Sequence, residues 1–167
     1  KGNTSSTVSI NALKFNGVNN YINFARDIVE LAKASFTIEF WVKTSGNSMG
    51  LFILKDNDNF FDVGEKSMYI DENGIATFIG WGNNFIYSTS TVPVNDNLWH
   101  HLAVTWAYWG GTNGIGKFYI DGVDRTSTNY YYPSSNSGPY TANFSNRTGA
   151  IVTFGQSPDV TWPVAIN

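Results

Sequence analysis

The stretch of this chain that leaves folding the fewest options is Trp99-His100-His101-Leu102-Ala103-Val104-Thr105-Trp106. It alternates, with His100, Leu102, Val104 and Trp106 on one face and Trp99, His101, Ala103 and Thr105 on the other. A period of two, loaded with β-branched and aromatic residues, reads as a half-buried strand, because successive side chains of an extended chain point to opposite sides. After a Gly-rich break comes Gly116-Lys117-Phe118-Tyr119-Ile120-Asp121-Gly122-Val123. There Phe118 and Ile120 share a face, and Asp121-Gly122 supplies the positive-φ pair that a two-residue hairpin needs. The centre of the chain is strand, loop, strand, tight turn, strand. Nothing in it requires chemistry to explain it.

The flanking sequence repeats the pattern. Phe36, Ile38, Phe40 and Val42 alternate with Thr37, Glu39, Trp41 and Lys43, the cleanest alternation in the chain. Residues 51–54 are a short apolar run, the mark of a strand covered on both sides. Met68-Tyr69-Ile70 and Ile75-Ala76-Thr77-Phe78 flank Asp71-Glu72-Asn73-Gly74, a hairpin with an Asn-Gly turn. Further strands are expected at residues 12–15, around Ile22 and Phe24, over 85–90 and over 151–155. Residues 27–34 form the one helix-like run, about two turns, too short to stand alone in water and expected as a helical turn on a sheet edge. Residues 1–9 read as a flexible tail and 10–167 as a single domain. Residues 126–149 are Ser, Asn, Thr, Gly and Tyr with almost no aliphatic side chain, and so long a stretch in a compact domain calls for a function or for mobility.

Together Trp99–Trp106 and Gly116–Val123, with Ala12-Leu13-Lys14-Phe15-Asn16-Gly17, Asn20-Tyr21-Ile22 and Phe36–Lys43, resemble the laminin-G-like and pentraxin-like jelly rolls of the concanavalin A-like lectin/glucanase superfamily. The resemblance runs from about residue 12 to residue 159. It implies an all-β, two-sheet antiparallel β-sandwich, and implies a fold more securely than a ligand. One departure stands out. The family's usual last strand, of the type F-x-G-x-I-D-E-V-R-I-Y, is not recognisable in Trp162-Pro163-Val164-Ala165-Ile166-Asn167.

Composition excludes several function classes. Net charge is −3, which provides no basic footprint for nucleic acid. No apolar run approaches the roughly 20 residues that span a bilayer, so membrane insertion is not expected. There are no cysteines, so neither disulfides nor thiolate metal sites contribute. Aromatics reach 16% against 14% charged residues, and the question becomes what the rings are for.

Polysaccharide cleavage needs two carboxylates about 5–10 Å apart across the sugar. The glutamates are Glu30, Glu39, Glu65 and Glu72, none within six residues of another. His100 and His101 read as ordinary strand histidines of the framework, and no catalytic residue is assigned. Calcium is the cation expected if one is bound, since Lys55-Asp56-Asn57-Asp58-Asn59 offers the all-oxygen ligand set that calcium prefers. The pentraxin resemblance implies Asp58 and Asn59 as ligands, with Asp159 of Phe154-Gly155-Gln156-Ser157-Pro158-Asp159 as a late one. Ser157 stands where that family has a glutamate. A solvated turn is the alternative reading of the loop, and the Asn19-Asn20 turn is a second, weaker calcium candidate.

The rings give the remaining signal. Trp81 precedes Gly82-Asn83-Asn84, Trp109 precedes Gly110-Gly111, and Tyr130-Tyr131-Tyr132 must put at least one ring outward. Flat rings beside amides suit sugars, whose CH faces stack while their hydroxyls hydrogen-bond. Trp81, Asn83, Trp109, Tyr130, Tyr131 and Tyr132 are therefore the expected carbohydrate-binding residues, whereas Trp41 and Trp99 are expected in the core. The sequence thus points to a non-catalytic carbohydrate-binding or adhesion module, calcium-assisted or not, of a larger extracellular or cell-surface protein. Its partner would be a glycan, with other domains of the same protein beside it. A protein-binding or spacer domain is the alternative, and a polysaccharide-degrading enzyme ranks third. Asn3-Thr4-Ser5, Asn143-Phe144-Ser145 and Asn146-Arg147-Thr148 match the N-glycosylation acceptor, a motif short enough to recur by chance in such a chain.

Overall fold

The computed structural model describes residues 11–16, 20–24, 34–55, 65–80, 92–110, 113–126 and 151–155. Within them the strands are β1 (Ile22–Phe24), β2 (Phe36–Lys43), β3 (Met49–Lys55), β4 (Lys66–Ile70), β5 (Ala76–Gly80), β6 (Trp99–Gly110), β7 (Asn113–Ile120), β8 (Val123–Asp124) and β9 (Ile151–Phe154). They form a five-stranded sheet in the order β1-β9-β3-β4-β5 and a four-stranded sheet in the order β2-β6-β7-β8. Every pairing is antiparallel. The expected all-β, two-sheet antiparallel sandwich is the fold observed.

The alternations set which side chains meet. Leu102, Val104, Trp106, Phe118 and Ile120 of the four-stranded sheet join Phe52, Leu54, Met68, Ile70, Ala76, Phe78 and Val152 of the five-stranded sheet in one buried cluster. Phe36, Ile38, Phe40 and Val42 lie half-buried against it. Phe154 ties the sheets together, its ring meeting Phe24 at 5.6 Å, Phe52 at 5.5 Å and, across the sandwich, Phe40 at 6.3 Å, all edge-on.

The two sheets differ in coverage. On β2 every second residue is exposed, as a sheet with one wet face requires. On β4 all five residues are buried, and Phe52, Ile53 and Leu54 of β3 are buried consecutively, so the apolar run at 51–54 is covered on both sides as its sequence indicates.

Three expectations need correction. Residues 12–15 are not a strand; Leu13 is exposed, and Phe15 instead lays its ring over Gly155. Gly155 has φ +79°, and a Cβ there would fall 2.3 Å from Phe15 Cδ1, so only glycine fits. The Gly-rich break after Trp106 is shorter than its composition suggests. Ala107 pairs with Ile115 and Gly110 with Asn113, extending the hairpin by ladder hydrogen bonds that override glycine's poor strand propensity. Trp41 and Trp99, expected inside, are 63% and 41% exposed. Their positions alternate with the buried ones, so filling the core with them would require a register slip that turns Phe40 and Leu102 outward. The tail at 1–9, the helix-like run up to residue 33, the strand at 85–90, the stretch after Thr126 and the end of the chain lie outside the described residues.

Replacing Phe118, fully buried in the cluster, with Ala should cost about 3–5 kcal/mol of unfolding free energy in urea titration. Phe40→Ala, at a half-buried position, should cost measurably less. Equal losses would show that β2 reaches as deeply into the core as β7, against the burial described.

Candidate functional site

The Asp121-Gly122 turn has φ values of 52° and 77°, the left-handed pair expected from its sequence. Asp tolerates this because its short side chain bonds locally. Here Asp121 Oδ1 accepts the backbone N–H of His101 at 2.8 Å, and the Asp121 N–H donates to the His101 carbonyl at 2.9 Å. Oδ2 lies 2.7 Å from His100 Nδ1. The opposite ring nitrogen, Nε2, lies 3.1 Å from Asp96 Oδ1, which also accepts the Leu98 N–H at 2.8 Å. The loop carrying Asp96 is itself pinned, since the Asn97 N–H donates to the Thr44 carbonyl and the Val94 N–H to the Gly74 carbonyl.

His100 is thus clasped between two carboxylates, with its side chain 12% exposed. Burial by itself would lower the imidazole pKa, but the hydrogen bonds and charges of Asp121 and Asp96 outweigh it and raise the value above 6.5. Asp96 is held below 3.8, first by the Leu98 N–H and then by His100. For Asp121, burial opposes ionisation, yet His100 and the His101 N–H bring it below 3.8 as well. Both ring nitrogens act as donors only in the imidazolium form. The carboxylates sit on opposite sides of one ring and share no point that a cation could occupy. Among the described residues no group of three or more His, Cys, Asp or Glu side chains is arranged to hold a metal.

The next residue points the other way. His101 stands opposite Trp41 in the β2–β6 ladder, and the two rings lie 5.2 Å apart at 48°. Its Nε2 is 3.6 Å from Glu39 Oε2, on a glutamate that is 63% exposed. By register the outer face of the four-stranded sheet is a small grid: Thr37, Thr105 and Lys117; then Glu39, Ala103 and Tyr119; then Trp41 and His101; then Lys43 and Trp99. At its far side Lys117 and Asp124 pair at 2.9 Å. Asp124 is brought down to about 2, chiefly by the Thr126 hydroxyl and backbone and then by Lys117. Buried charge also occurs elsewhere: Lys66, fully covered beside Glu65, is pushed down to about 8 by burial, against the raising effect of Glu65.

Of the residues singled out in the sequence, Asp58, Asn59, Asp159, Trp81, Asn83, Tyr130, Tyr131 and Tyr132 lie outside the described residues. Trp109 falls within β6 and not in a loop, at a register shift between Tyr108 and Gly110, where a bulge re-aims the chain. The open group formed by Glu39, Trp41 and His101 was not foreseen. The signal for it was present, since Trp41 alternates in step with Glu39 and Lys43, the charged side of β2.

The clasp makes stability depend on pH in a definite direction. The raised His100 contributes stability that is complete below 6.5 and is lost as pH rises through its folded value. The lowered Asp121 and Asp96 contribute stability that is present above 3.8 and is lost as pH falls through their folded values. The stability advantage over His100→Gln should therefore shrink on alkalinisation past 6.5, and the His100 ring in an NMR titration should show a pKa above 6.5. A titration midpoint at or below 6.5 would remove the clasp.

Comparison with known proteins agrees with this architecture. Residues 16–162 match the Laminin_G_3 family, described as the concanavalin A-like lectin/glucanases superfamily. The chain is 33% identical over 93 residues to the mouse protein named "Sushi, von Willebrand factor type A, EGF and pentraxin domain-containing protein 1", and 32% identical to its rat counterpart. The matched part covers 53% of this chain but spans only 2% of those relatives. Among solved structures, the LG1-3 region of the laminin alpha2 chain superposes with a TM-score of 0.51 at 18% identity, over 84% of this chain and 27% of that one, a likeness of fold. With a match over most of its length and the two-sheet sandwich to go with it, the chain belongs to the Laminin_G_3 family of the concanavalin A-like superfamily.

Proposed function

We propose that this chain is a non-catalytic recognition module of a longer, extracellular protein and that its ligand is a glycan. The observation that carries the reading is where the acid–base groups lie. His100 has both nitrogens against carboxylates. Glu39 stands on the outer face of one sheet, Glu65 is buried beside β4 in the other, and Glu72 lies at the β4–β5 turn. These three glutamates flank no common cleft of the kind that sugar hydrolysis uses. Lectins and glucanases are the two classes in the superfamily's description, and this arrangement favours the first. Aromatic content and the absence of a basic surplus are in keeping with a polyhydroxylated ligand.

On this reading Trp81, Asn83, Trp109 and Tyr130 to Tyr132 supply rings and amide groups for stacking and hydrogen bonding. Asp58, Asn59 and Asp159 would hold calcium, for which their oxygen-only donor set is suited. Calcium would organise the loops around the ligand, with several modules of one protein adding avidity to weak single contacts. A second reading, a protein-binding or spacer domain, is favoured by the relatives' names, which describe multidomain proteins.

Millimolar calcium should raise the melting temperature relative to EDTA, because an ion bound only by the folded state stabilises it. Superimposable melting curves would remove the calcium site. On an array of immobilised glycans the full chain should give signal on a subset of them. A silent array, together with capture of a defined protein partner, would put the second reading in front.

A further inference from the structure

We propose that the outer face of the four-stranded sheet, centred on Trp41, His101 and Glu39, is a binding surface for a neutral sugar ring of a polysaccharide. The inference rests on the glycan reading above and adds to it a location and a ligand charge.

Three observations carry it. First, Trp41 leaves most of its indole in water and Trp99, in the next row of the same face, is also exposed; adjoining exposed rings on one sheet face form the kind of patch that marks an interaction site. Second, the ring is fixed in place. Its backbone pairs with His101, whose imidazole lies against the indole at 5.2 Å and 48°, a contact that favours this orientation before any ligand arrives. Glu39 beside it presents an acceptor and the neighbouring imidazole a further polar group, the mixture that ring hydroxyls require. Third, charge selects the occupant. Glu39 and Asp124 on this face are matched by Lys43 and Lys117, the latter already paired with Asp124. Among the described residues this face carries no net charge, which gives no electrostatic pull on an acidic glycan, a basic peptide or an anionic membrane. What remains complementary is an uncharged ligand with an apolar CH face and hydroxyl edges.

The site lies on the sheet and not in the loops, so separate variants can test the two regions. Affinity electrophoresis of the full chain through gels containing neutral galactomannan, neutral β-glucan or acidic polygalacturonate, with calcium present, would measure binding. Wild type should be retarded by a neutral polymer. Trp41→Ala should weaken that binding roughly tenfold, equivalent to about 1.4 kcal/mol, with an unchanged melting temperature because the indole is exposed. Trp41→Phe should retain part of the binding, and a Trp81→Ala/Tyr131→Ala variant, which removes rings of the other proposed set, should weaken it independently. In wild type, the Trp41 indole N–H resonance should shift on titration with oligosaccharides from the same polymer, a readout that needs no variant. If Trp41→Ala binds like wild type while the Trp81→Ala/Tyr131→Ala variant does not, the sheet surface is overturned and glycan recognition stands. Retardation by polygalacturonate alone would overturn the neutral ligand. Unretarded migration in every gel would overturn both this inference and the glycan reading beneath it.

Discussion

The carboxylate of Asp121 is the joint on which the four-stranded sheet depends. One side chain holds its own turn in a left-handed conformation, accepts the N–H of His101 where β6 begins, and fixes the imidazole of His100. Through that imidazole it reaches Asp96, and so the loop that enters β6. Charge-assisted hydrogen bonds of this kind are stronger than neutral ones, and here they tie the β7–β8 turn to the start of β6 and to the loop just before it. Alanine at 121 would release the turn, the strand start and the ring together, whereas alanine at Asp124 would lose the exposed Lys117 pair and the local Thr126 hydrogen bonds but leave the start of β6 in place.

The sheets meet through one apolar cluster but have different second faces. The inner strands of the five-stranded sheet, β3, β4 and β9, are covered on both, including polar positions such as Ser67 and Thr153, which are satisfied locally by the Phe52 carbonyl and the Asn23 side chain. The four-stranded sheet keeps one face in water. Any ligand for the sheet surfaces therefore has one broad face to meet, and the residues of β2, β6 and β7 that point there are the ones free of packing duty.

Much of this was legible in residue pattern. The alternations at 36–43 and 99–106 predict the strands β2 and β6 and which of their side chains share a face, and the Asp121-Gly122 dipeptide predicts its turn, because each encodes a local backbone preference in step with the core. The pattern failed where tertiary contacts decide. Phe15 reads as a strand residue but caps Gly155, a partner 140 residues away whose glycine leaves the space. Trp41 reads as core by residue type and as surface by position, and position won, since a period of two admits no exception without turning Phe40 outward. The roles of the two adjacent histidines were hidden for the opposite reason: identical residues one step apart face opposite sides. His100 is enclosed by acids and His101 lies against Trp41.

The position of β9 has a consequence for how the protein is made. β9 lies between β1 and β3, so a bond such as that from Thr153 to Asn23 spans 130 residues. The β6, β7 and β8 ladders join neighbours and close early, because short loops cost least entropy. The larger sheet stays in two pieces until residues 151–154 have left the ribosome. During that interval β3 offers Phe52, Ile53 and Leu54 along an unpaired edge. Biosynthesis of this domain therefore passes through a window in which the apolar β3 waits for its partner, and the length of that window sets its exposure to pairing with another nascent copy.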